Sequence, residues 1–209
     1  MWGITVVQVL SLRFIDPPFT VLTAWQWMWN KDNIRRNPPR HIWKPLHRIS
    51  PHLRKAVLAA EDQRFMSHHG FDFVEMNKAI KNMALKRGFR GASTITMQVA
   101  RTVFLWPGRI WPRKAAEAYY TVLIEMFWSK KRILEMYLNM VDWGTGLMGA
   151  EAASRYYFHR SCSSLSPSQA ALLTAVLPNP HNWSPRKPNP RVLRRQKRIL
   201  RDMEQMPRL

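Results

Sequence analysis

Two carboxylates stand where proton-transfer chemistry could take place. Glu61 follows the apolar run 57–60, and a carboxylate at the end of such a run is prone to partial burial, which suits a general acid or base. Glu117 follows Arg113 and Lys114 closely enough for their side chains to share a face if the segment is helical. The structural alternative for Glu61 is a helix-end carboxylate paired with Arg64. The structural alternative for Glu117 is an exposed ion pair. The residues alone leave both alternatives open.

Residues 87–101 combine glycines, hydroxyls and cations in a pattern that suits a phosphate. The hydroxyls of Ser93 and Thr94 can donate hydrogen bonds, and the amides at the start of a helix can point at an anion. The segment is not a P-loop, because the pattern Gly-x-x-x-x-Gly-Lys-Ser/Thr is absent. An ordinary helix cap made by a Ser or Thr hydroxyl is the structural alternative.

The elements that must position these groups are predicted to be helices. Apolar residues recur at i, i+3 and i+4 over residues 51–177, and no strand alternation is sustained enough for a large sheet. Ser129 predicts the cap of a helix over 130–139. Ser166, followed by Pro and then by Gln at the third position after the cap, predicts another helix start. The tail, residues 181–209, is rich in Pro and then basic, and it predicts one exposed helix.

The composition favours an anionic partner. Lys and Arg number 33 against 13 Asp and Glu, which gives a net charge of +20. A charge of that size points to nucleic acid, an anionic membrane or a phosphorylated substrate. The single cysteine, Cys162, excludes an internal disulfide and a cysteine-based zinc site.

The N-terminal part of the chain is apolar and rich in Trp. Residues 1–12 are too few to span a bilayer alone, which takes about 20 apolar residues. They fit the end of a longer anchor, an interfacial segment or a packed part of the core, and the sequence leaves the three open. Residues 14–50 contain several prolines and tryptophans, which suits either a juxtamembrane linker or an irregular strap packed on the domain.

Four segments of the chain are similar to four motifs of one known protein family, and they occur in the same order as those motifs. Residues 61–72 match Glu-Asp-x-x-Phe-x-x-His-x-Gly-Phe-Asp at every fixed position, and residues 91–98 are similar to Gly-x-Ser-Thr-Ile-Thr-Gln-Gln. Residues 113–117 are similar to Arg-Lys-x-x-Glu, and residues 130–139 to Lys-x-x-Ile-Leu-Glu-x-Tyr-Leu-Asn. Together they resemble the monofunctional biosynthetic peptidoglycan glycosyltransferases, the transglycosylase family also found as the N-terminal domain of bifunctional penicillin-binding proteins. One position departs from the pattern, because Met97 replaces the first of two consecutive Gln.

The resemblance implies a fold and a division of the chain. The expected fold is mainly α, a lysozyme-like two-lobed glycosyltransferase domain. The expected domains are a membrane-proximal apolar and Trp-rich segment with its linker over residues 1–48, the glycosyltransferase domain over 49–185, and a basic C-terminal tail over 186–209.

The resemblance also implies a reaction and the residues that perform it. Lipid II would be polymerised into linear glycan strands by inverting β-1,4 transfer, with release of undecaprenyl pyrophosphate. Glu61 matches the general base and Glu117 a second catalytic carboxylate. The implied substrate-binding residues are Asp62, Phe65, Lys78, Ser93, Thr94, Gln98, Arg101, Arg109 and Lys114. Met97 cannot donate a hydrogen bond, so a weak or inactive family member acting as a cell-wall scaffold is one alternative, and a lysozyme-like muramidase is another.

The resemblance further implies the cofactors, partners and cellular location of the enzyme. It requires no cofactor and no metal site, although a divalent cation, Mg or Mn, accompanies the substrate pyrophosphate in some family members. The expected partners are lipid II, the growing glycan chain, the membrane and other cell-wall synthases, with no nucleic acid. The expected location is the bacterial cytoplasmic (inner) membrane, with the catalytic domain on the periplasmic side.

Overall fold

Helices form most of the regular structure. The computed structural model describes residues 2–18, 20–21, 28, 40–85, 91–108 and 110–207, so Arg109 and residues 19, 22–27 and 29–39 of the predicted Trp-rich linker lie outside the described residues. In chain order the helices are α1 (Trp2–Leu12), α2 (Pro51–Glu61), α3 (Phe73–Ala84), α4 (Ile95–Phe104), α5 (Trp111–Phe127), α6 (Lys130–Met140), α7 (Ala150–Phe158), α8 (Pro167–Ala175) and α9 (Pro190–Met203). Single 3-10 turns cover Leu46–Arg48 and Cys162–Ser164. The prediction of a mainly α fold is confirmed.

Two short strands join the segment before α2 to the loop between α6 and α7. β1 (Arg40–His41) runs parallel to β2 (Leu147–Met148), with Arg40 opposite Leu147. The side chain of Asn139 extends this attachment, because its amide oxygen accepts from Lys44 N at 2.8 Å and its nitrogen donates to Lys44 O at 2.9 Å. The segment that leads into α2 is therefore anchored by backbone and side-chain hydrogen bonds.

Side-chain caps fix where several helices begin. A capping side chain accepts a hydrogen bond from an amide that the first helical turn leaves without a partner. The capping residues are Ser50, Asp72, Thr94, Ser129, Ser166 and Asn189. The predicted starts at Ser129 and Ser166 are confirmed, and Ser166 forms a complete capping box with Gln169.

The helices pack in two groups. α2, α8 and α9 pack against one another, while α4 packs against both α5 and α6. α7 contacts α6 and α8 and so connects the groups. Fully buried apolar side chains such as Leu53, Ile95, Ile124 and Leu173 form the core, and burial of apolar surface is the main favourable contribution to folding. The candidate site lies where α2, α4 and α9 meet.

The C-terminal helix α9 is packed on the domain, and the prediction that it is exposed is wrong. Val192, Ile199 and Met203 are buried, and α9 contacts α2 and α8. The prediction failed because the many cations of the tail hide an apolar stripe at helical spacing. The stripe anchors α9, and the cations on its other faces remain exposed.

The N-terminal helix α1 packs on α5 with one face only. Val9 is buried, and its carbonyl accepts a hydrogen bond from Trp128 Nε1 at 2.8 Å. Ile4 and Val7 remain exposed on the outer face of the helix. Core packing therefore accounts for one face, and the two membrane alternatives stay open for the other. Among the residues that the structure describes, no helix has the length and hydrophobicity needed to cross a bilayer.

A buried carboxylate on α7 ties together three segments of the chain. Glu151 accepts hydrogen bonds from Cys162 N at 2.8 Å, from the Ser161 hydroxyl at 3.0 Å and from Arg155 Nε at 2.7 Å. Lys44 Nζ lies 3.7 Å from the same carboxylate. Burial would raise the pKa of Glu151, but the hydrogen bonds from Cys162, Arg155 and Ser161 outweigh it and lower the pKa to about 2.

We expect Glu151→Gln to lower the free energy of unfolding by roughly 2–3 kcal/mol near neutral pH, because the amide keeps the shape but loses the charge that its donors bind. The carboxylate contributes this stability above its usual pKa of 4.5 and loses it as the pH falls toward about 2. Urea unfolding at about pH 6 and about pH 3 should show the wild-type advantage shrinking at the lower pH. An equal advantage at both pH values would contradict the prediction.

Candidate active site

A cleft of about 540 Å³ opens where α2, α4 and α9 meet. Its wall includes Glu61 at the end of α2, the segment 91–94 that leads into α4, and Gln98 and Arg101 on α4 itself. Arg195 on α9 completes this part of the wall. The structure therefore brings residues from two of the four sequence motifs together in one cavity.

Glu61 is one of the carboxylates on the wall of this cleft. Arg195 Nη2 donates to its Oε1 at 2.8 Å, and Gln98 Nε2 donates to its Oε2 at 3.2 Å. The Glu61 side chain keeps 17 % of its surface exposed. A carboxylate can accept about four hydrogen bonds, so each oxygen retains capacity for a further donor. Glu61 is thus fixed in orientation, accessible from the cleft, and able to accept a proton from a bound hydroxyl.

Asp62, next to Glu61, holds the start of α4 in place. Its Oδ2 accepts from Ile95 N at 2.9 Å, and its Oδ1 lies 2.9 Å from His68 Nε2. Asp62 lines the cleft but is largely buried. The structure therefore gives Asp62 a visible task in positioning α4 beside Glu61, and its predicted contact with substrate stays a prediction.

The hydroxyl of Thr94 serves as the cap of α4. It accepts from Met97 N at 3.2 Å and donates to Gly70 O at 2.6 Å. Gly70 has a φ of +90°, and a Cβ there would lie 2.7 Å from Thr121 Cγ2, so only glycine fits. Ser93 is half-buried on the cleft wall and is the hydroxyl of this segment that is placed to meet a ligand.

The predicted cations differ in their surroundings. Arg101 is exposed on the cleft wall and forms no ion pair with any residue in the described part of the chain. Lys78 on α3 donates to Glu75 at 2.8 Å and points largely to solvent. Lys114 pairs with Glu117 and lies on α5. Arg101 is therefore the predicted cation that the cleft presents to an anion, while Arg109 lies outside the described residues.

Glu117 is fully buried on α5, so the alternative of an exposed ion pair is wrong. Lys114 Nζ lies 2.5 Å from its Oε1, and Arg113 Nη1 lies 3.6 Å from its Oε2. Glu117 does not belong to the wall of the cleft that holds Glu61. The structure therefore supports a role for Glu117 in holding Lys114 and Arg113, and its predicted catalytic role stays a prediction.

The ring of Phe65 lies in the core. Lys130 Nζ sits 4.6 Å from the ring centroid and donates to His68 O at 2.7 Å. Because Phe65 is almost wholly buried, the structure places it beneath the segment 61–72 as packing, and its predicted contact with substrate is not seen on the cleft wall.

Three side chains offer ligand atoms that lie within 4.8 Å of one another: Asp62, His68 and Asp72. Their contacts with the protein engage part of this group, and nothing shows that a metal is required. Asp62 is bonded to His68 and Ile95, as described above, and Asp72 Oδ1 accepts from two amides at the start of α3. Asp72 Oδ2 lies 3.1 Å from Arg64 Nε. This cluster stabilises the fold around the cleft, and no step of the proposed reaction passes through a metal.

Arg195 is a site residue that the sequence motifs do not indicate. It belongs to the basic tail, yet its guanidinium pairs with a carboxylate 134 residues earlier in the chain. A signal was present in the sequence, since Arg195 follows buried Val192 by three positions and precedes buried Ile199 by four. A cation on the apolar stripe of a helix needs a partner inside the fold.

Met97, the residue that departs from the family pattern, is buried outside the cleft wall. Its side chain is only 6 % exposed, and it does not belong to the cleft wall. Gln98, the next residue, carries the amide that meets Glu61. Met in place of Gln at position 97 therefore removes no hydrogen-bond donor from the part of the cleft wall that the structure describes.

The chain is similar to known proteins over most of its length. A family model described as Transglycosylase matches residues 30–204. The chain belongs to the transglycosylase family. This confirms the family inferred from the four motifs, and with it the prediction of a glycosyltransferase enzyme.

Three relatives of this transglycosylase carry the name biosynthetic peptidoglycan transglycosylase. The protein from Bacteroides thetaiotaomicron is 44 % identical over 207 residues, which cover 98 % of this chain and 82 % of the relative. The protein from Xanthomonas campestris pv. campestris (strain B100) is 46 % identical over 204 residues, covering 97 % and 82 %. The protein from Pseudomonas putida is 46 % identical over 202 residues, covering 97 % and 86 %.

Proposed function

We propose that this protein polymerises lipid II into linear glycan strands of peptidoglycan and releases undecaprenyl pyrophosphate. Family membership and the names of the relatives support peptidoglycan glycosyl transfer as the reaction class. The observation that carries the proposal for this chain is Glu61, an oriented and accessible carboxylate in a cleft that also presents the exposed cation Arg101.

In the proposed reaction Glu61 acts as general base. It takes the proton from the 4-hydroxyl of the acceptor sugar while that oxygen attacks the anomeric carbon at the end of the growing chain. The new carbon–oxygen bond forms as the bond to the pyrophosphate breaks, so the α-linked donor gives a β-1,4 product. This is the logic of an inverting glycosidase with a sugar hydroxyl in place of water. The proton is then on Glu61 and the negative charge is on the leaving pyrophosphate.

Cations beside the leaving group lower the barrier, because they stabilise charge that develops in the transition state. Arg101 is placed for this on the cleft wall and has no competing carboxylate within the described structure. Ser93 can donate to a phosphate or sugar oxygen from the same wall. We assign these two residues to the anionic part of the substrate, together with Arg109 as a sequence-based prediction.

The proposal includes a membrane surface, since the substrate is lipid-linked. α3 buries none of its side chains and exposes Phe73, Ile80 and Met83. Trp111, at the start of α5, is 88 % exposed. Exposed apolar and Trp side chains suit the membrane–water interface, and the net charge of +20 suits anionic lipids. We propose the periplasmic face of the bacterial cytoplasmic membrane as the location.

The test is a reaction of the purified protein with lipid II in detergent, followed by size analysis of the products. Long glycan strands are expected. Cleavage of preformed glycan without polymer formation would favour a lysozyme-like muramidase. No reaction with either substrate, from protein that is folded by circular dichroism, would favour a scaffold.

The position of Met97 gives a separate expectation for the scaffold alternative. We expect Met97→Gln to change the polymerisation rate by less than about twofold, because the side chain lies outside the cleft wall, and to lower the free energy of unfolding by about 1–3 kcal/mol, because an amide replaces a buried thioether. Initial rates and urea unfolding of the two proteins check both parts. A gain in rate of about tenfold or more would show that a substrate contact is missing at this position.

A further inference from the structure

Glu61 accepts a hydrogen bond from a side chain that in turn accepts a hydrogen bond from a buried residue. Gln98 Nε2 donates to Glu61 Oε2 at 3.2 Å, and the Tyr137 hydroxyl donates to Gln98 Oε1 at 3.3 Å. Gln98 lies on α4 and Tyr137 on α6, two helices that pack against each other. The two hydrogen bonds form a chain from the core to the carboxylate in the cleft.

The two neighbours of Gln98 fix the direction in which its amide faces. The oxygen and nitrogen of an amide have nearly the same shape, so hydrogen-bond partners decide the orientation. The Glu61 carboxylate only accepts and therefore selects the NH₂ group. With the NH₂ group facing Glu61, the amide oxygen faces the Tyr137 hydroxyl and accepts a hydrogen bond from it. If the amide turned over, its oxygen would face the carboxylate and the hydrogen bond to Glu61 would be lost.

The hydrogen bond to Gln98 connects Tyr137 to the cleft. Its side chain is almost wholly buried and does not belong to the cleft wall. Burial, reinforced by the Glu61 charge, raises the pKa of Tyr137 well above its usual range, although Arg101 and Arg195 oppose the shift. The phenol therefore keeps its proton at neutral pH and remains a donor.

We propose that Tyr137 is a positioning residue for the base: its hydroxyl orients the Gln98 amide, and that amide holds Glu61 Oε2 for the reaction. Arg195 holds the other carboxylate oxygen, so two donors from different helices set the plane of the carboxylate. The inference rests on the proposed function, because it takes Glu61 as the base.

The kinetic test is Tyr137→Phe, which removes one oxygen and keeps the ring. Without the hydroxyl the Gln98 amide loses the hydrogen bond that holds it from the side opposite Glu61 and becomes more mobile, so kcat for lipid II polymerisation falls about five- to tenfold while KM changes less than about twofold. The matched control is Tyr157→Phe, which loses a hydroxyl that donates to Trp143 O at 3.2 Å away from the cleft wall. The control should keep the wild-type kcat. A wild-type kcat for Tyr137→Phe would overturn the proposal.

A second kinetic arm separates positioning from general loss of stability. In a Gln98→Leu background the chain is already broken, so adding Tyr137→Phe should lower kcat by less than about twofold. A further loss of about fivefold in that background would show that Tyr137 acts by another route and would overturn the proposal.

A spectroscopic arm does not depend on turnover. The side-chain amide signals of Gln98, one of seven glutamines, can be assigned in a ¹H–¹⁵N NMR spectrum by their loss in Gln98→Leu. Both Tyr137→Phe and Glu61→Gln should shift these signals, and Tyr157→Phe should leave them in place. Unmoved signals in Tyr137→Phe would overturn the proposal even if the protein made no polymer. Shifted signals with normal polymer formation by Tyr137→Phe would overturn it while leaving the proposed function intact.

Discussion

Replacing Glu61 by Gln is expected to lower the rate of glycan polymerisation by about a thousandfold, within the range that general acid–base catalysis contributes. The amide keeps the size of the side chain and one oxygen acceptor, but it cannot take up the proton of the attacking hydroxyl. Its NH₂ group must also face either Arg195 or Gln98, both of which are donors to Glu61 in the wild type. Initial rates of lipid II polymerisation, measured over several concentrations, should show the loss in kcat.

A matched control distinguishes loss of the base from loss of negative charge in the cleft. Glu75 lines the same cavity and pairs with Lys78 on its own helix. Glu75→Gln makes the same chemical change, and its rate should stay within about threefold of the wild type, because the Lys78 partner of Glu75 is largely exposed and the pair contributes little. Equal losses in Glu61→Gln and Glu75→Gln would show that overall charge, and not proton transfer by Glu61, governs the rate.

The local signals in the sequence were enough to place the elements that carry the chemistry. Ser129 and Ser166 predicted helix starts because a cap is decided by residues within one turn of each other. The apolar run before Glu61 predicted a helix that ends at a partly buried carboxylate, and the structure has that arrangement. The alternative of an ordinary cap proved right for Thr94, whose hydroxyl is occupied at the start of α4.

The partners of these residues could not be predicted in the same way, because they come from distant segments. Arg195 reaches Glu61 across 134 positions, and Tyr137 reaches Gln98 across 39. No periodicity links such pairs, since their contact depends on how α9 and α6 dock against the rest of the fold. The many cations of α9 also led to the wrong prediction of an exposed tail, because they obscured the buried apolar stripe of this helix in the sequence.

The pairing of Glu61 with a distant arginine leads to the second large effect, which we expect for Arg195→Ala. The substitution removes a charge-assisted hydrogen bond of 2.8 Å to Glu61 Oε1 and leaves the carboxylate held by Gln98 alone. Such a bond is worth about 2 kcal/mol, so a loss of that size in the transition state lowers kcat on the order of thirtyfold. Arg195→Lys should lie between the wild type and Arg195→Ala, because it keeps the charge without the guanidinium fork.

Stability should respond far less than activity, since the Glu61–Arg195 pair is partly exposed and α9 is anchored by its apolar stripe. The control is Arg194→Ala, which removes an exposed cation from the neighbouring position of the same helix and should leave kcat unchanged. Measuring kcat and Tm for the three variants separates the possibilities. A fall in Tm that matches the loss of activity would mean that Arg195 serves to dock α9, whereas a normal Tm with a low kcat means that the helix carries a group that the base needs. An equal loss of kcat in Arg194→Ala would instead attribute the effect to the positive charge of α9 as a whole, which acts on any anionic substrate at a distance.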